Sequence, residues 1–351
     1  MTSRAMIHVA PLNPTLAGSW DAYVLAHPQG TPFHLLAWKT VVERSFGHRP
    51  CYWIAQECRG SSWRTVGILP AFVLKSPFFG RYVSSVPFAE KGGPLADEPA
   101  IAEALMHAAV DYARSLKLDY VELRNERPLK GLPVKERYVT FRKEMAPDPE
   151  KNLNAIPRKS RRMVRVGLQA GLRSRADRAL LPTFYAILAT NFHRLGTPVF
   201  SYRYFRTLLD VFGEAAEVRV VYTAEGHPIA GVLSFFYQDV VMPYYAGSLA
   251  EYRHLAPNDF MYYDLMRRAC TRGYRWFDFG RSKIDTGSYA FKKHWGFEPK
   301  PLPYQYILLN AQEIPDLSPA NPKYQRRIEL WRRLPHWVTR LAGPPIARFL
   351  A

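Results

Sequence analysis

Charge is set into an apolar run between Arg275 and Gly296, where the chain reads RWFDFGRSKIDTGSYAFKKHWG and closes on the lysine pair Lys292 and Lys293. Trp276, Phe277 and Phe279 have the character of a buried strand, and Asp278 and Gly280 in their midst are poor choices for packing alone. Asp278 and Arg281 flank Gly280, so they can pair with each other across the turn or orient a substrate. A carboxylate beside an amine can also take the proton that the ammonium must lose before it attacks a carbonyl, although loss through water would serve equally. Read as a strand edge, the lysine pair sends its two side chains to opposite faces. A second candidate cluster, PYYAGS at Pro243 to Ser248, ends an apolar strand, where alternation lets only one of Tyr244 and Tyr245 face a cleft.

Other chemistries are poorly supported. None of the ten histidines falls in a metal-spaced cluster, and neither a Ser, His and Asp arrangement nor a phosphate-binding P-loop motif is present, so a metal centre or nucleotide hydrolase is not expected. Cys51, Cys58 and Cys270 lack partners at zinc-site spacings and read as free thiols. The formal charge of +18 asks for an anionic partner: RNA, a phosphorylated cofactor or an acidic membrane surface. No apolar run is long enough for a spanning helix, and the N-terminus lacks the apolar core of a signal peptide, which makes a cytoplasmic location the expectation.

The elements that must position these residues recur in two halves. In the first, Trp63 to Lys75 and Arg81 to Phe88 read as strands, Ile101 to Leu116 as a helix and Asp119 to Arg124 as a strand. In the second, Ile229 to Tyr237, Val240 to Gly247, Asn258 to Arg272 and Trp276 to Gly280 repeat that order. The helices are read from apolar period, as with Met261, Leu265, Met266 and Ala269 on one face. A strand, strand, helix, strand order with a crossover helix predicts an α/β protein whose halves are each a mixed β-sheet flanked by helices. The expected divisions are 1–150, 151–310 and a C-terminal basic amphipathic segment, 311–351. Between the halves, Arg158, Lys159, Arg161, Arg162, Arg165, Arg173, Arg175 and Arg178 face the single acid Asp177, beginning as a basic helix that ends near Gly171. Leu181 to Leu195 and Tyr202 to Phe212 read as further helices. In the last segment Ile328, Leu330, Trp331, Leu334, Trp337, Val338 and Leu341 interleave with arginines, and Pro335 divides the helix. That pattern fits an interfacial helix on an anionic membrane or a face packed on the protein.

With PYYAGS, FDFGRS at Phe277 to Ser282 and AFKKHWGFEP at Ala290 to Pro299, the second half resembles the FemAB-like branch of the GNAT acyltransferase superfamily. Its look is closest to the FemAB-like proteins of exosortase (PEP-CTERM) and exopolysaccharide loci, with a BioF2-like acetyltransferase domain. The resemblance implies tandem GNAT-like domains and transfer of an acyl or aminoacyl group to an amine in cell-envelope or exopolysaccharide metabolism. The donor would be acyl-CoA as co-substrate or charged tRNA, with no metal, and the acceptor lipid- or nucleotide-linked. It makes Lys292 the catalytic residue, with Phe291 and Tyr245 contacting substrates. A fixed ammonium about 3 Å from the developing oxyanion would stabilise the transition state selectively. Arg194 and Tyr204 flank the LGTPVFS turn, where the family's second-domain helices approach the acceptor; as residues alone they read as a surface arginine and a core tyrosine. Asn258 reads as an N-cap, and the crossover helix it opens is where GNAT proteins seat a cofactor pyrophosphate. The usual glycine-rich loop is missing before it, leaving Arg253 and His254 for phosphate contacts. The alternative is a non-catalytic scaffold of the same fold on RNA or at the inner membrane face.

Overall fold

Proline decides how the first half is layered. The apolar run from Trp63 to Lys75 is not one strand but two, because Pro70 offers no N–H to the ladder. In the computed structural model, which describes residues 6–314 and 322–350, those two strands enter different sheets. The chain divides into two compact units: Met1–Tyr138 with Leu302–Asp316 and Phe349–Ala351, and Val139–Pro301 with Leu317–Arg348.

In the first unit, β1 (Met6–Pro11), β2 (Trp53–Arg59) and β3 (Ser62–Leu69) form an antiparallel sheet. A second sheet sets β4 (Phe72–Ser76) antiparallel to β5 (Gly80–Ser84) and β5 parallel to β6 (Tyr120–Arg124). The parallel pair needs a crossover, supplied by α1 (Pro99–Ser115). Ile101, Leu105, Ala109 and Ala113 of α1 lie on one face and pack against Val66, Val83 and Val121. The strand Lys300–Leu308 returns to pair antiparallel with β6, Tyr304 opposite Arg124.

The second unit repeats the scheme in one continuous sheet. Its strands are β7 (Arg142–Glu144), β8 (Arg173–Ala176), β9 (Ala216–Tyr222), β10 (Pro228–Tyr237), β11 (Val240–Ser248) and β12 (Trp276–Asp278), in the spatial order β7, β12, β11, β10, β9, β8. Only β11 and β12 run parallel, and the helix α5 (Pro257–Thr271) crosses between them. The helices α2 (Arg158–Gln169), α3 (Leu181–Leu195) and α4 (Tyr202–Phe212) lie before α5 in the chain, and the short helix Pro149–Ala155 before them. The short α6 (Gly287–His294) follows β12, and two helices end the chain, α7 (Pro322–Arg333) and α8 (His336–Ala347), parted at Pro335. The basic α2 buries Ser160, Val164 and Gly167 at helical spacing and exposes Arg158, Lys159, Arg162 and Arg165. Met261, Leu265, Met266 and Ala269 of α5 pack with Val241, Phe277 and Phe279 in the core beneath the candidate site.

Candidate active site

The turn after β12 is held from two sides. Gly280 has φ 66°, a left-handed conformation that glycine tolerates best. The Asp278 carboxylate, buried beneath it, accepts from the Gly280 N–H at 2.8 Å and from the Thr140 hydroxyl at 3.4 Å. From the other side comes Lys292, whose Nζ donates to the carbonyl oxygens of Phe279, Gly280 and Arg281 at 2.7, 2.9 and 3.1 Å. An ammonium has three protons, and three consecutive carbonyls receive them. Gly280→Ala is expected to cost about 1–2 kcal/mol of stability, the ordinary penalty for an L side chain in this region, read by urea unfolding.

The lysine pair lies on a helix, not on a strand edge. Thr286 caps α6, its hydroxyl accepting from Tyr289 N–H, and a helical path puts Lys292 inward at 8% exposure while Lys293 stays exposed, 5.6 Å over the Tyr289 ring. Phe291 is half-buried and packs on Tyr262 and Trp295, with ring centroids 5.6 and 5.7 Å away. Lys292 therefore fixes the 279–281 turn, and an oxyanion would have to displace a carbonyl to reach its ammonium.

Beyond the turn, the parallel strands part. Pairing of β11 with β12 covers only Val240 with Trp276 and Val241 with Phe277, whereas β11 runs on to Ser248. A register shift against β10 falls between the pairs Leu233 with Tyr245 and Ser234 with Pro243. This bulge breaks strict alternation, so both tyrosines are half-buried: Tyr244 meets Phe235 at 5.2 Å and Tyr245 meets Phe205 at 5.2 Å. The Tyr245 hydroxyl lies 3.0 Å from that of Tyr204. Burial pushes the Tyr245 phenol up, while its bond to Tyr204 and the charge of Arg281 pull it back. Tyr204 itself is completely buried on α4, where it can orient Tyr245.

A third group gathers cations. Gly247 of β11 lies against Asn191 of α3, where an added Cβ would come within 3.2 Å of the Asn191 Cβ. Asn191 Oδ1 accepts from the Arg194 guanidinium at 2.8 Å. Burial, and then the charges of Arg253 and Arg332, lower the Arg194 pKa. Arg332, from α7, also donates to the Leu195 carbonyl at 3.2 Å. Sequence spacing offers no signal for Arg332, which joins this group only through tertiary packing. Asn258 is not the N-cap of α5. Pro257 takes the first helical position, so the cap is Ala256 at φ 53°, Asn258 is exposed in the first turn, and no side chain caps the helix. Arg253 stands exposed in the 3-10 turn Ala250–Leu255 just before it. Asp259, which sequence reasoning also missed, accepts from the Trp295 indole at 2.9 Å, and burial raises its pKa against that bond. Its first-turn position was the available clue. Among the described residues, no group of three His, Cys, Asp or Glu side chains is arranged to hold a metal ion.

Residues 150–293 match the family model described as the acetyltransferase (GNAT) domain. No curated protein matches the chain. Among solved structures, FemX is similar over 86% of this chain and 98% of its own, with TM-score 0.67 and 18% identity. A tandem GNAT protein of the clavulanic acid biosynthesis pathway is similar over 86% and 98%, with TM-score 0.54 and 13% identity. The C-terminal domain of a protein described as a lysylphosphatidylglycerol synthetase, from Agrobacterium fabrum, covers 84% of this chain and 92% of its own at TM-score 0.53 and 13% identity. Residues 150–293 are thus similar to the acetyltransferase (GNAT) domain, and the chain shares the α/β fold of solved structures that include a tandem GNAT protein.

Proposed function

We propose that this protein is an N-acyltransferase or aminoacyltransferase that passes an acyl group from a phosphate-bearing donor, acyl-CoA or aminoacyl-tRNA, to an amine. The parting of β11 from β12 carries the reading, because it leaves a strand edge against which an extended, amide-bearing donor arm can lie. The helix α5, without a side-chain cap, and Arg253 before it supply N–H groups and positive charge for donor phosphates. The amine lone pair attacks the acyl carbonyl, the C–N bond forms, and collapse of the oxyanion breaks the C–S or C–O bond. The proton lost by the amine ends on the departing thiolate or ribose oxygen. Tyr245, held protonated at neutral pH by burial and oriented by Tyr204, is assigned the proton donation. Arg281 and Asp278 shape the same wall, and Arg194 with Arg253 holds anionic parts of the substrates. Lys292 and Phe291 act as the support of that wall. A cell-envelope or exopolysaccharide acceptor, and an exosortase-associated setting, rest on the sequence motifs.

Thermal unfolding with acetyl-CoA, longer acyl-CoAs and charged tRNA tests this. A donor at a hundredfold excess over its Kd should stabilise the protein by about 2.7 kcal/mol, and Arg253→Glu should remove that gain. Tyr245→Phe should keep it while lowering transfer to a model amine, read by mass spectrometry, by about 10²-fold. If none of these donors stabilises the protein, the scaffold reading takes over.

A further inference from the structure

The last helix is turned inside out. An amphipathic helix on a globular protein ordinarily buries its large apolar residues and exposes polar ones. Helix α8 does the opposite: Thr339, Gly343 and Ala347, at successive fourth positions, are its buried residues. Thr339 Oγ1 sits 3.0 Å from His193 Nδ1 of α3, and Gly343 lies so close to Val199 that an added Cβ would be 3.1 Å from its backbone. The opposite face carries Trp337 and Leu341, 67% and 71% exposed, with Arg348 a further two turns along. Helix α7 splits its apolar residues between the two faces. Ile328 points in, beside Gly196, while Leu330 stands 63% exposed between Arg326 and Arg333, one turn to either side. The apolar residues of this segment thus divide, Ile328 packing on the protein and Leu330, Trp337 and Leu341 facing solvent among arginines.

We propose that the outer faces of α7 and α8 dock on an anionic lipid surface, Trp337, Leu341 and Leu330 entering the interface and Arg326 and Arg333 meeting the headgroups. Charge complementarity selects this occupant. The rim is arginine, with Glu329 the single acid among the described residues of the two helices, on a chain of net charge +18, which matches an anionic headgroup layer. No helix among the described residues is long and apolar enough to span a bilayer, so the contact would be interfacial. The inference does not depend on acyl transfer.

Flotation of the full chain with phosphatidylcholine vesicles, with and without phosphatidylglycerol, provides the test. Binding is expected only when phosphatidylglycerol is present. General basicity alone would give such binding too, so the deciding variant keeps every charge: Trp337→Ser with Leu341→Ser should lower the bound fraction about tenfold at physiological salt, with an unchanged thermal midpoint. Arg326→Gln with Arg333→Gln should weaken it and flatten its salt dependence. Undiminished flotation of the Trp337/Leu341 variant overturns the proposal. So does a concentration-dependent dimer in sedimentation velocity that this variant abolishes, because the faces would then cover a second copy.

Discussion

Lys292→Met is expected to lower the stability of the second unit by about 2–4 kcal/mol, since three consecutive carbonyls lose a charged donor and the methionine offers none. Phe279 and Gly280 are buried, so water does not readily replace the lost bonds. Removing the cost of a buried ammonium offsets part of the loss, which is why the figure stays below the sum of three unsatisfied groups. The turn that carries Arg281 should loosen, and amide hydrogen exchange over 276–295 should rise with the fall in urea midpoint. Transfer activity is expected to fall in step, because Arg281 and Tyr245 share an electrostatic environment. A lysine that instead acted directly on the oxyanion would give another pattern: turnover lost, with the unfolding midpoint and hydrogen exchange unchanged. That second pattern would restore Lys292 to the role its resemblance implied.

The difference between those roles shows where the sequence was readable. Leu181–Leu195 and Tyr202–Phe212 are found with the bounds their apolar period predicts, because Gly196 in the left-handed region ends one and the Ser201 hydroxyl, accepting from Tyr204 N–H, begins the other. The strand, strand, crossover helix, strand order was legible in the second half, and in the first half too except that Pro70 splits its opening strand between two sheets. Lys292 was misread as a strand residue although Thr286, three residues before Tyr289, was a capping signal in plain view. Asn258 was misread because the proline before it fixes the first helical position and moves the cap to Ala256. The group formed by Arg194, Arg253 and Arg332 was only partly legible, because its members come from α3, the turn before α5 and α7. Nothing local joins them. The duplication made one more feature visible only in part: DYVELR reads as a strand, but its acid and arginine give no sign that they are buried.

Arg124→Met is expected to destabilise the first unit by about 3–5 kcal/mol near neutral pH, the range found when a buried ion pair loses one member. Glu122 and Arg124, 5% and 2% exposed on β6, meet at 2.7 Å. Each has further partners: Glu122 accepts from the Ser84 and Tyr306 hydroxyls, both at 3.1 Å, and Arg124 donates to the Ala89 carbonyl at 2.6 Å. Burial alone would push the Glu122 carboxyl up, but the charge and hydrogen bond of Arg124, with Tyr306 and Ser84, hold it below its ordinary value. A depressed folded pKa means a contribution fully present above the unfolded value of about 4.3 and lost as pH falls through the lower folded one. In the variant the carboxylate is buried without its cation, so its pKa rises and protonation relieves it. The gap between parent and variant should therefore be widest near neutrality and narrow toward about pH 4.5, measured by urea unfolding at both. Adding Glu122→Gln should recover most of the loss, because the amide removes the stranded charge while its oxygen still accepts from one of the Ser84 and Tyr306 hydroxyls and its NH2 donates to the other. A double variant no more stable than Arg124→Met alone, with a gap that ignores pH, would mean that packing of the arginine stem, not its charge, is what β6 requires.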